Sequence, residues 1–449
     1  MKLIYNVQDK PTFGRAILFA LQQLLAIMAA TIAVPAIINS QFAEANMSAT
    51  AALFGAGVGT LVYLLFTRFK SPVFLGSSFA FLGSMASAFA GAASASLGYV
   101  GLILGAVFAG LVYVVISLIV KYAGVEWISK LMPPVIIGPT VAIIGLSLAG
   151  NAIGDLTKKF TVANYSMYAS LFCGVVTFFT VVICSVYGKK MLKMIPFIIG
   201  ILAGYVAATI LTGVGFMFEI ESFKVIDFSA FKDIQWVPSF SFVNAFKGFK
   251  DLSWSYVGTI AVAYIPVAFV VFAEHIADHK NLSSIIENNL LEEPGLHRTL
   301  LGDGVGSMAG AFFGGCPNTT YGESVGCVAI SGNASVVSIW VTAFLAIAIS
   351  FFGPFATLLA TIPSCVMGGV CVALYGFIAV SGLKMIQKVD LGQNKNLFVV
   401  SVILIAGIGG FSLTIGKVTI TTIACALILG IITNLIVGRS KEESTEEQE

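Results

Sequence analysis

Runs of about 18 or more apolar residues follow one another along nearly the whole chain, separated by short polar clusters, and nothing else limits its fold so strongly. As a helix, such a run matches the roughly 30 Å hydrocarbon core of a bilayer. Only 10% of the 449 residues are charged, against about a quarter in a soluble domain, too few to cover a water-facing surface. The sequence therefore predicts an all-α polytopic protein embedded in the lipid bilayer. Its about 14 segments fall at 15–38, 50–67, 73–90, 98–121, 130–150, 167–187, 194–213, 254–275, 297–315, 317–331, 335–352, 357–380, 396–412 and 417–437.

The net charge of +2 has no dense basic patch behind it, so no nucleic-acid partner is expected. Seven cysteines without C-x-x-C spacing indicate neither a disulfide framework nor a zinc site. The first run follows Lys2, Lys10 and Arg15, is too long for a signal-peptide core, and reads as the first helix. Basic loops alternate with loops lacking Lys and Arg: Arg68 and Lys70, Lys121 and Lys130, Lys189 to Lys193, and Lys384 to Lys395 against 39–49, 91–97 and 353–356. The bias puts both termini in the cytoplasm, with Lys158 and Lys159 on the wrong side. The acidic tail, 439–449, reads as a disordered cytosolic end. The connection 214–253, with nine phenylalanines among Lys and Asp, reads most simply as an interfacial amphipathic helix, a folded lid being the alternative.

Pro133 to Gly145 is similar to Pro363 to Gly376, with Gly138 matching Gly368 and Val141 matching Val372. This spacing places seven segments in each half. An odd number inverts the second half relative to the first, the arrangement of secondary transporters with a midplane site. The alternative is a chance likeness of two Gly-rich helices.

Two segments are interrupted, 72–81 and 317–326. Residues 317–331 as a continuous helix reach only about 22 Å, whereas about five extended residues followed by about ten helical ones reach about 31 Å. Extended backbone at that depth must be buried in protein or line a cavity, and two such stretches can pair. Both would then aim helix N-termini, with their free N–H groups, at one place. Glu323 stands there, and a carboxyl inside an apolar span marks function by default. Glu274 and Asp278 share a helix face, and His275 and His279 a neighbouring one. For this pair of acids two readings stay open: charges at the end of the eighth span, or midplane groups on a helix running past the boundary. His297 reads as a loop residue, and Asp303 as either a helix-entry or a site-supporting acid.

Leu75-Gly-Ser-Ser-Phe79-Ala-Phe81, Ala273-Glu274-His275, Glu293-Pro-Gly-Leu-His297-Arg298 and Pro317-Asn-Thr-Thr-Tyr-Gly-Glu323 occur in this order. In these motifs the chain resembles the nucleobase–ascorbate transporter (nucleobase:cation symporter-2) family, and its bacterial uracil permeases, over nearly its full length. The resemblance implies a 7+7 inverted repeat with strand–half-helix segments at positions 3 and 10. It implies a core domain of 1–125 and 254–353, a gate domain of 126–213 and 354–438, and a homodimer in the cytoplasmic membrane. It implies secondary active import of uracil, or a related nucleobase such as xanthine, with a proton as coupling ion and no cofactor or metal. By the same resemblance Glu274 and Glu323 bind the base, Phe79 and Gly322 offer backbone N–H groups, and Ala30, Tyr321 and Tyr375 line the pocket. Glu274 is then the expected proton carrier, tuned by Asp278 or His279, with Asp303 and Ser324 in support. The chain departs from the family pattern where Asp278 replaces a histidine and where Ser324 and Ser331 replace Asn and Thr. A channel lacks a continuous polar lining here. A membrane enzyme has only His275, Asp278 and His279 to offer. An anion carrier of similar fold fits poorly with acids at the half-helix ends.

Overall fold

The computed structural model describes residues 3–124, 127, 133–157, 166–189, 191–232, 234–415 and 418–438. Lys130, Lys158, Lys159, Lys190 and the acidic tail lie outside the described residues, as does the start of the segment expected from 130.

The chain opens with α1 (Phe13–Gln41) and α2 (Ala49–Phe66), then a short strand β1 (Leu75–Ser77), a turn of 3-10 helix at Phe79–Phe81 and a half-helix α3 (Leu82–Ala90). Next come α4 (Ala95–Ala123), α5 (Pro134–Ser147), α6 (Ala149–Thr157), α7 (Met167–Tyr187) and α8 (Pro196–Met217). After the connection follow α9 (Trp254–Ile286), α10 (Leu296–Gly314), strand β2 (Asn318–Thr320) and a second half-helix α11 (Gly322–Ser331). The rest is α12 (Val336–Ser350), α13 (Gly353–Ala360), α14 (Ser364–Ile386), α15 (Asn394–Ile408), a hairpin of β3 (Leu413–Ile415) and β4 (Val418–Ile420), and α16 (Thr422–Val437).

Among the described residues, eight helices, counting α5 with α6 as one, are long and apolar enough to cross a bilayer, and α12 with α13 makes a ninth candidate bent by 81°. The bend corrects one expected segment: 353–360 is a separate helix, and the span that follows starts at Ser364, not at 357. The eighth expected segment also changes. Instead of ending at 275, α9 runs 33 residues, capped at its start by Ser253 and ending at Glu287 in the left-handed conformation. It continues because Leu282 and Ile286 extend the buried face begun by His275 and His279. Glu274 thus lies about 18 Å short of the helix end.

The connection is not an amphipathic helix. It consists of 3-10 turns at Glu221–Phe223, Phe228–Lys232 and Phe246–Asp251 and one helical turn at Ser241–Ala245. Val225 and Ile226 donate backbone N–H to Thr212 Oγ1 on α8. Phe240 and Phe242 instead stack into the Phe54, Phe312, Phe313 and Phe351 cluster of α2 and α10.

Helices pack in two groups. In one, α10 lies against α2 and α4, with α9 on α4 and α12 on α2. Apolar burial separates helices from lipid weakly, since lipid is itself apolar, so close backbone approach must do the work. Gly302, Gly306, Gly310 and Gly314, four apart, supply it on α10, and Gly55 and Gly59 on α2. A Cβ on Gly55 would stand 2.4 Å from the Gly310 carbonyl oxygen. In the other group α14 packs on α5 and α7, and α15 on α5 and α16. The two similar sequence segments begin α5 and α14, which touch at Gly145 and Tyr375. Helix α1 meets both groups, contacting α2 and α12 on one side and α14 and α8 on the other.

Candidate functional site

The extended stretches expected at the two interruptions are β1 and β2, and they pair antiparallel with Leu75 opposite Thr320, Gly76 opposite Thr319 and Ser77 opposite Asn318. Every residue of both strands is buried. Pairing disposes of part of the backbone polarity, and side chains take more. Leu75 N–H donates to Thr60 Oγ1 at 2.9 Å, and Phe74 N–H to Ser324 Oγ at 3.2 Å. The Tyr321 hydroxyl donates to the Ser77 carbonyl at 2.6 Å. The Tyr321 ring lies flat against Gly76, where a Cβ would meet it at 2.4 Å, so glycine is the residue that fits. Asn318 fills the slot between Gly59 and Gly310 and donates to the Gly55 carbonyl at 3.0 Å.

From opposite ends of this small ladder, α3 and α11 run outward. Neither receives a side-chain cap, whereas Ser48, Ser94 and Ser253 cap α2, α4 and α9. The first-turn N–H groups of the two half-helices are therefore left for something else to satisfy.

Around them gather most of the residues expected from the sequence. Glu323 occupies the first turn of α11 and is half-buried, with Gly322 exposed before it. Glu274 and Asp278, also half-buried, face this end from α9, and the carboxyls acting on Glu274 are those of Asp278, Glu323 and Asp303. Asp278 Oδ2 accepts from Thr320 Oγ1 at 2.9 Å, which ties α9 to β2, and a Cβ on Gly322 would lie 3.8 Å from Asp278 Oδ1. The Phe79 ring meets Tyr375 of α14 edge-on, with centroids 6.0 Å apart, so one aromatic from each helix group closes the space. Ala30 is buried on α1, the helix that touches β1, α3, α11 and α14.

Other expected residues turn elsewhere. Ser324 sits behind the half-helix, where Gln23 Nε2 donates to it at 2.6 Å. Asp303 is buried behind α9 against His275, and His279 turns to Tyr63. His297 is in the first turn of α10, not a loop. Thr320, Gln23, Tyr63 and Thr299 escaped the sequence reading. Small hydroxyl and amide residues in apolar runs carry no spacing that sets them apart.

A cavity of about 950 Å³ lies away from the carboxyls. It lies between the two groups, lined by Ile32, Ala36 and Asn39 of α1, Thr357 of α13, Met367 near the start of α14, and Asp227 and Gln235 of the connection. Met367 is about 12 Å up α14 from Tyr375, so the cavity is a vestibule above the site on the side of the loops without Lys or Arg.

A half-buried carboxyl cluster at the meeting point of two half-helices, between two packed groups of membrane helices, fits a polytopic permease. The model of the Permease family matches residues 14–416, and the chain belongs to that family. It is 38% identical to the uracil permease of Bacillus caldolyticus, over 97% of this chain and 95% of that one. It is 34% identical to the uracil permease of Escherichia coli K12, over 96% and 93%, and 30% identical to the putative pyrimidine permease RutG of the same strain, over 96% and 91%. Among solved structures it is similar to the transmembrane domain of the cyanobacterial bicarbonate transporter BicA, with a TM-score of 0.62 at 15% identity over 96% of this chain and all of that one. Murine Solute Carrier 26 family member A9, an anion transporter, gives 0.64 at 12% identity over 96% and 69%. Those likenesses concern the fold alone.

Proposed function

We propose that the chain imports uracil, or a closely related nucleobase, together with protons across the cytoplasmic membrane. The observation that carries the reading is the placement of Glu323 on an uncapped half-helix facing Glu274 and Asp278. Uracil alternates N–H donors and C=O acceptors around its ring. Carboxyls accept from the first, and the N–H groups at Phe79 and Gly322 donate to the second. Paired polar recognition of this kind rejects analogues lacking the right edge. The Phe79, Tyr321 and Tyr375 rings and Ala30 supply the faces of the pocket. The identities with uracil permeases support uracil as the base, and xanthine is the next candidate.

In this reading, α1 to α4 and α9 to α12 form a core domain, and α5 to α8 and α13 to α16 a gate domain, as a seven-plus-seven inverted repeat. Both termini are cytoplasmic and the protein is a homodimer. No resident cofactor is required. None of Glu274, Asp278 or Glu323 pairs with Lys or Arg among the described residues. Closely spaced carboxyls without cations cannot all be ionised, so the site must hold protons. Glu274 carries the coupled one, Asp278 tunes it, and Glu323 chiefly binds substrate. The anion-carrier alternative takes its support from the fold likeness, and the acid at the end of α11 counts against it.

The test is radiolabelled uracil uptake into proteoliposomes, with and without an inward-directed proton gradient, competed by xanthine and by bicarbonate. Gradient-dependent accumulation that bicarbonate does not inhibit is expected. Bicarbonate transport without uracil uptake would sink the reading.

A further inference from the structure

Behind α9, on the side away from the substrate space, lies a set of buried polar groups that base recognition does not use. His275 Nδ1 is 2.6 Å from Asp303 Oδ2 on α10, and both residues are enclosed. His275 Nε2 is 3.0 Å from Thr299 Oγ1. One turn on, the His279 ring stacks on the His275 ring with centroids 4.0 Å apart. His279 Nδ1 lies 2.8 Å from the His275 carbonyl, and its Nε2 lies 2.7 Å from the Tyr63 hydroxyl of α2. Tyr63 in turn is 2.7 Å from Ser71 Oγ, in the loop that carries exposed Arg68 and Lys70.

Donor and acceptor bookkeeping fixes where the protons sit. Thr299 spends its hydroxyl proton on the Leu296 carbonyl at 3.0 Å, so it accepts from His275 Nε2–H. His275 Nδ1 and Asp303 then share a single proton: acid with neutral ring, or carboxylate with imidazolium. Either way the pair is neutral overall. His279 Nδ1–H donates to a carbonyl, so its Nε2 accepts from Tyr63, and Tyr63 accepts from Ser71. The other Asp303 oxygen and the Tyr113 hydroxyl of α4 are enclosed without a hydrogen-bond partner. The ionisable groups around the two rings are thus Tyr63 from α2, Tyr113 from α4, Asp303 from α10, and Glu274 and Asp278 from α9 itself.

These groups run in one direction. Asp303 is among the carboxyls whose charge acts on Glu274, His279 lies one turn beyond His275 along α9, and Ser71 belongs to a basic loop. We propose that the coupled proton leaves the site for the cytoplasm through the interior of the core domain, by way of Asp303–His275, then His279, Tyr63 and Ser71, and not through the cavity that the base follows. The proposal rests on the symport reading above.

The steps balance. Glu274 gives its proton to the neutral Asp303–His275 pair, which then carries two. A turn of the stacked rings moves one proton to His279; this link and the first one, from Glu274, are the two not already bridged by a hydrogen bond. Protonated His279 donates from Nε2 to Tyr63 as the Tyr63 proton passes to Ser71, and Ser71, itself enclosed in this conformation, gives its proton to water admitted beside the exposed Arg68 and Lys70. Every group of the relay beyond Glu274 ends with the number of protons it began with, Glu274 ends one proton short until it is reloaded from outside, and the hydroxyls rotate back. Separate routes matter because a proton that leaves with the base through one cavity is open to slip when the base is absent.

The test separates deprotonation from everything else. Exchange of external for internal uracil requires the carrier to bind and reorient but not to lose its proton, whereas net gradient-driven uptake requires both. The full-length protein in proteoliposomes is compared with Tyr63→Phe and His279→Gln, after the wild type has been shown to need the gradient. A wild type indifferent to the gradient would sink the symport reading itself, and the route with it. Given gradient dependence, net uptake is expected to fall roughly tenfold or more in both variants, on the scale of a lost proton relay, with exchange within about twofold of wild type. Uptake unchanged in both would overturn the route, and so would uptake and exchange falling together. Ser71→Ala, the smallest change and at the outer end of the chain, covers the case in which the Tyr63 or His279 variant fails to fold. It should lower uptake while sparing exchange, and unchanged uptake there would also count against the route.

Discussion

The strand–half-helix units β1–α3 and β2–α11 are the same backbone device used twice, with different chemistry at the tip. Both strands are buried, both helices begin without a side-chain cap, and both begin at the ladder. At the first tip stand Ser78 and Phe79, so that end has backbone N–H groups and an aromatic ring to offer. At the second stand Gly322 and Glu323, so that end adds a strong acceptor and leaves open space where a larger residue would project. A ligand with only acceptors would be served by two copies of the first tip. The pairing of a neutral tip with an acidic one suits a ring that presents donors and acceptors in turn. The likeness to anion transporters is one of fold alone, and a fold does not by itself choose a cargo.

The sharpest way to break this comparison is to make the second tip like the first. Glu323→Ala should weaken uracil binding by about a hundredfold or more, since the base would bury an N–H without an acceptor. Equilibrium binding to purified protein measures it. Binding kept within threefold would show that the acidic tip does not read the base.

The next test compares two glycines across the tips. A Cβ at Gly76 would overlap the Tyr321 ring, so Gly76→Ala should destabilise the protein by about 1–3 kcal/mol through overpacking. At Gly322 the nearest atom to such a Cβ is Asp278 Oδ1 at 3.8 Å, so Gly322→Ala should leave the melting temperature unchanged while blocking the base. Thermal unfolding in detergent beside a binding assay reads both effects. Equal losses of stability would mean that the second tip is packed as tightly as the first.

Phe79→Ala comes third. Loss of a ring that faces Tyr375 across the two helix groups should weaken binding about tenfold, the scale of one aromatic contact with its buried area. A loss as large as that of Glu323→Ala would reverse the roles assigned to the tips.

Much of this was legible in the sequence. Apolar run lengths located the helices, because bilayer thickness is a fixed ruler, and the shortness of 317–331 foretold the extended stretch before α11 for the same reason. The ruler failed where a helix outruns the membrane. Nothing in Trp254 to Ile286 marks where the bilayer ends, so Glu274 could not be placed by residue arithmetic. It failed again at 214–253, where Phe240 and Phe242 join an aromatic cluster of Phe54, Phe312, Phe313 and Phe351, residues distant in sequence, while Phe246 and Phe249 stay exposed. The His275–Asp303 and His279–Tyr63 links join residues 28 and 216 positions apart, and local pattern carries no trace of such partners.

The smallest effect belongs to a third carboxyl, and it measures how much of the contrast between the tips is owed to burial. Glu293, in the bend between α9 and α10, forms an ion pair with Lys70 in the loop that leads into β1, and both are well exposed. The hydrogen bond from Lys70 and its charge hold the Glu293 carboxyl below its ordinary value. A depressed carboxyl stabilises the fold at neutral pH and loses that contribution as the pH falls through the folded value, so any effect of Glu293→Gln belongs to neutral pH and vanishes in acid. Exposed pairs are screened by water and salt, and the contribution is therefore small even at its maximum. Glu293→Gln should leave uracil uptake within about twofold of wild type at pH 7, with unfolding curves that coincide with wild type at low pH. If it cost as much as Glu323→Ala, then anchoring the loop ahead of β1, and not the acid at the second tip, would be what distinguishes the two units.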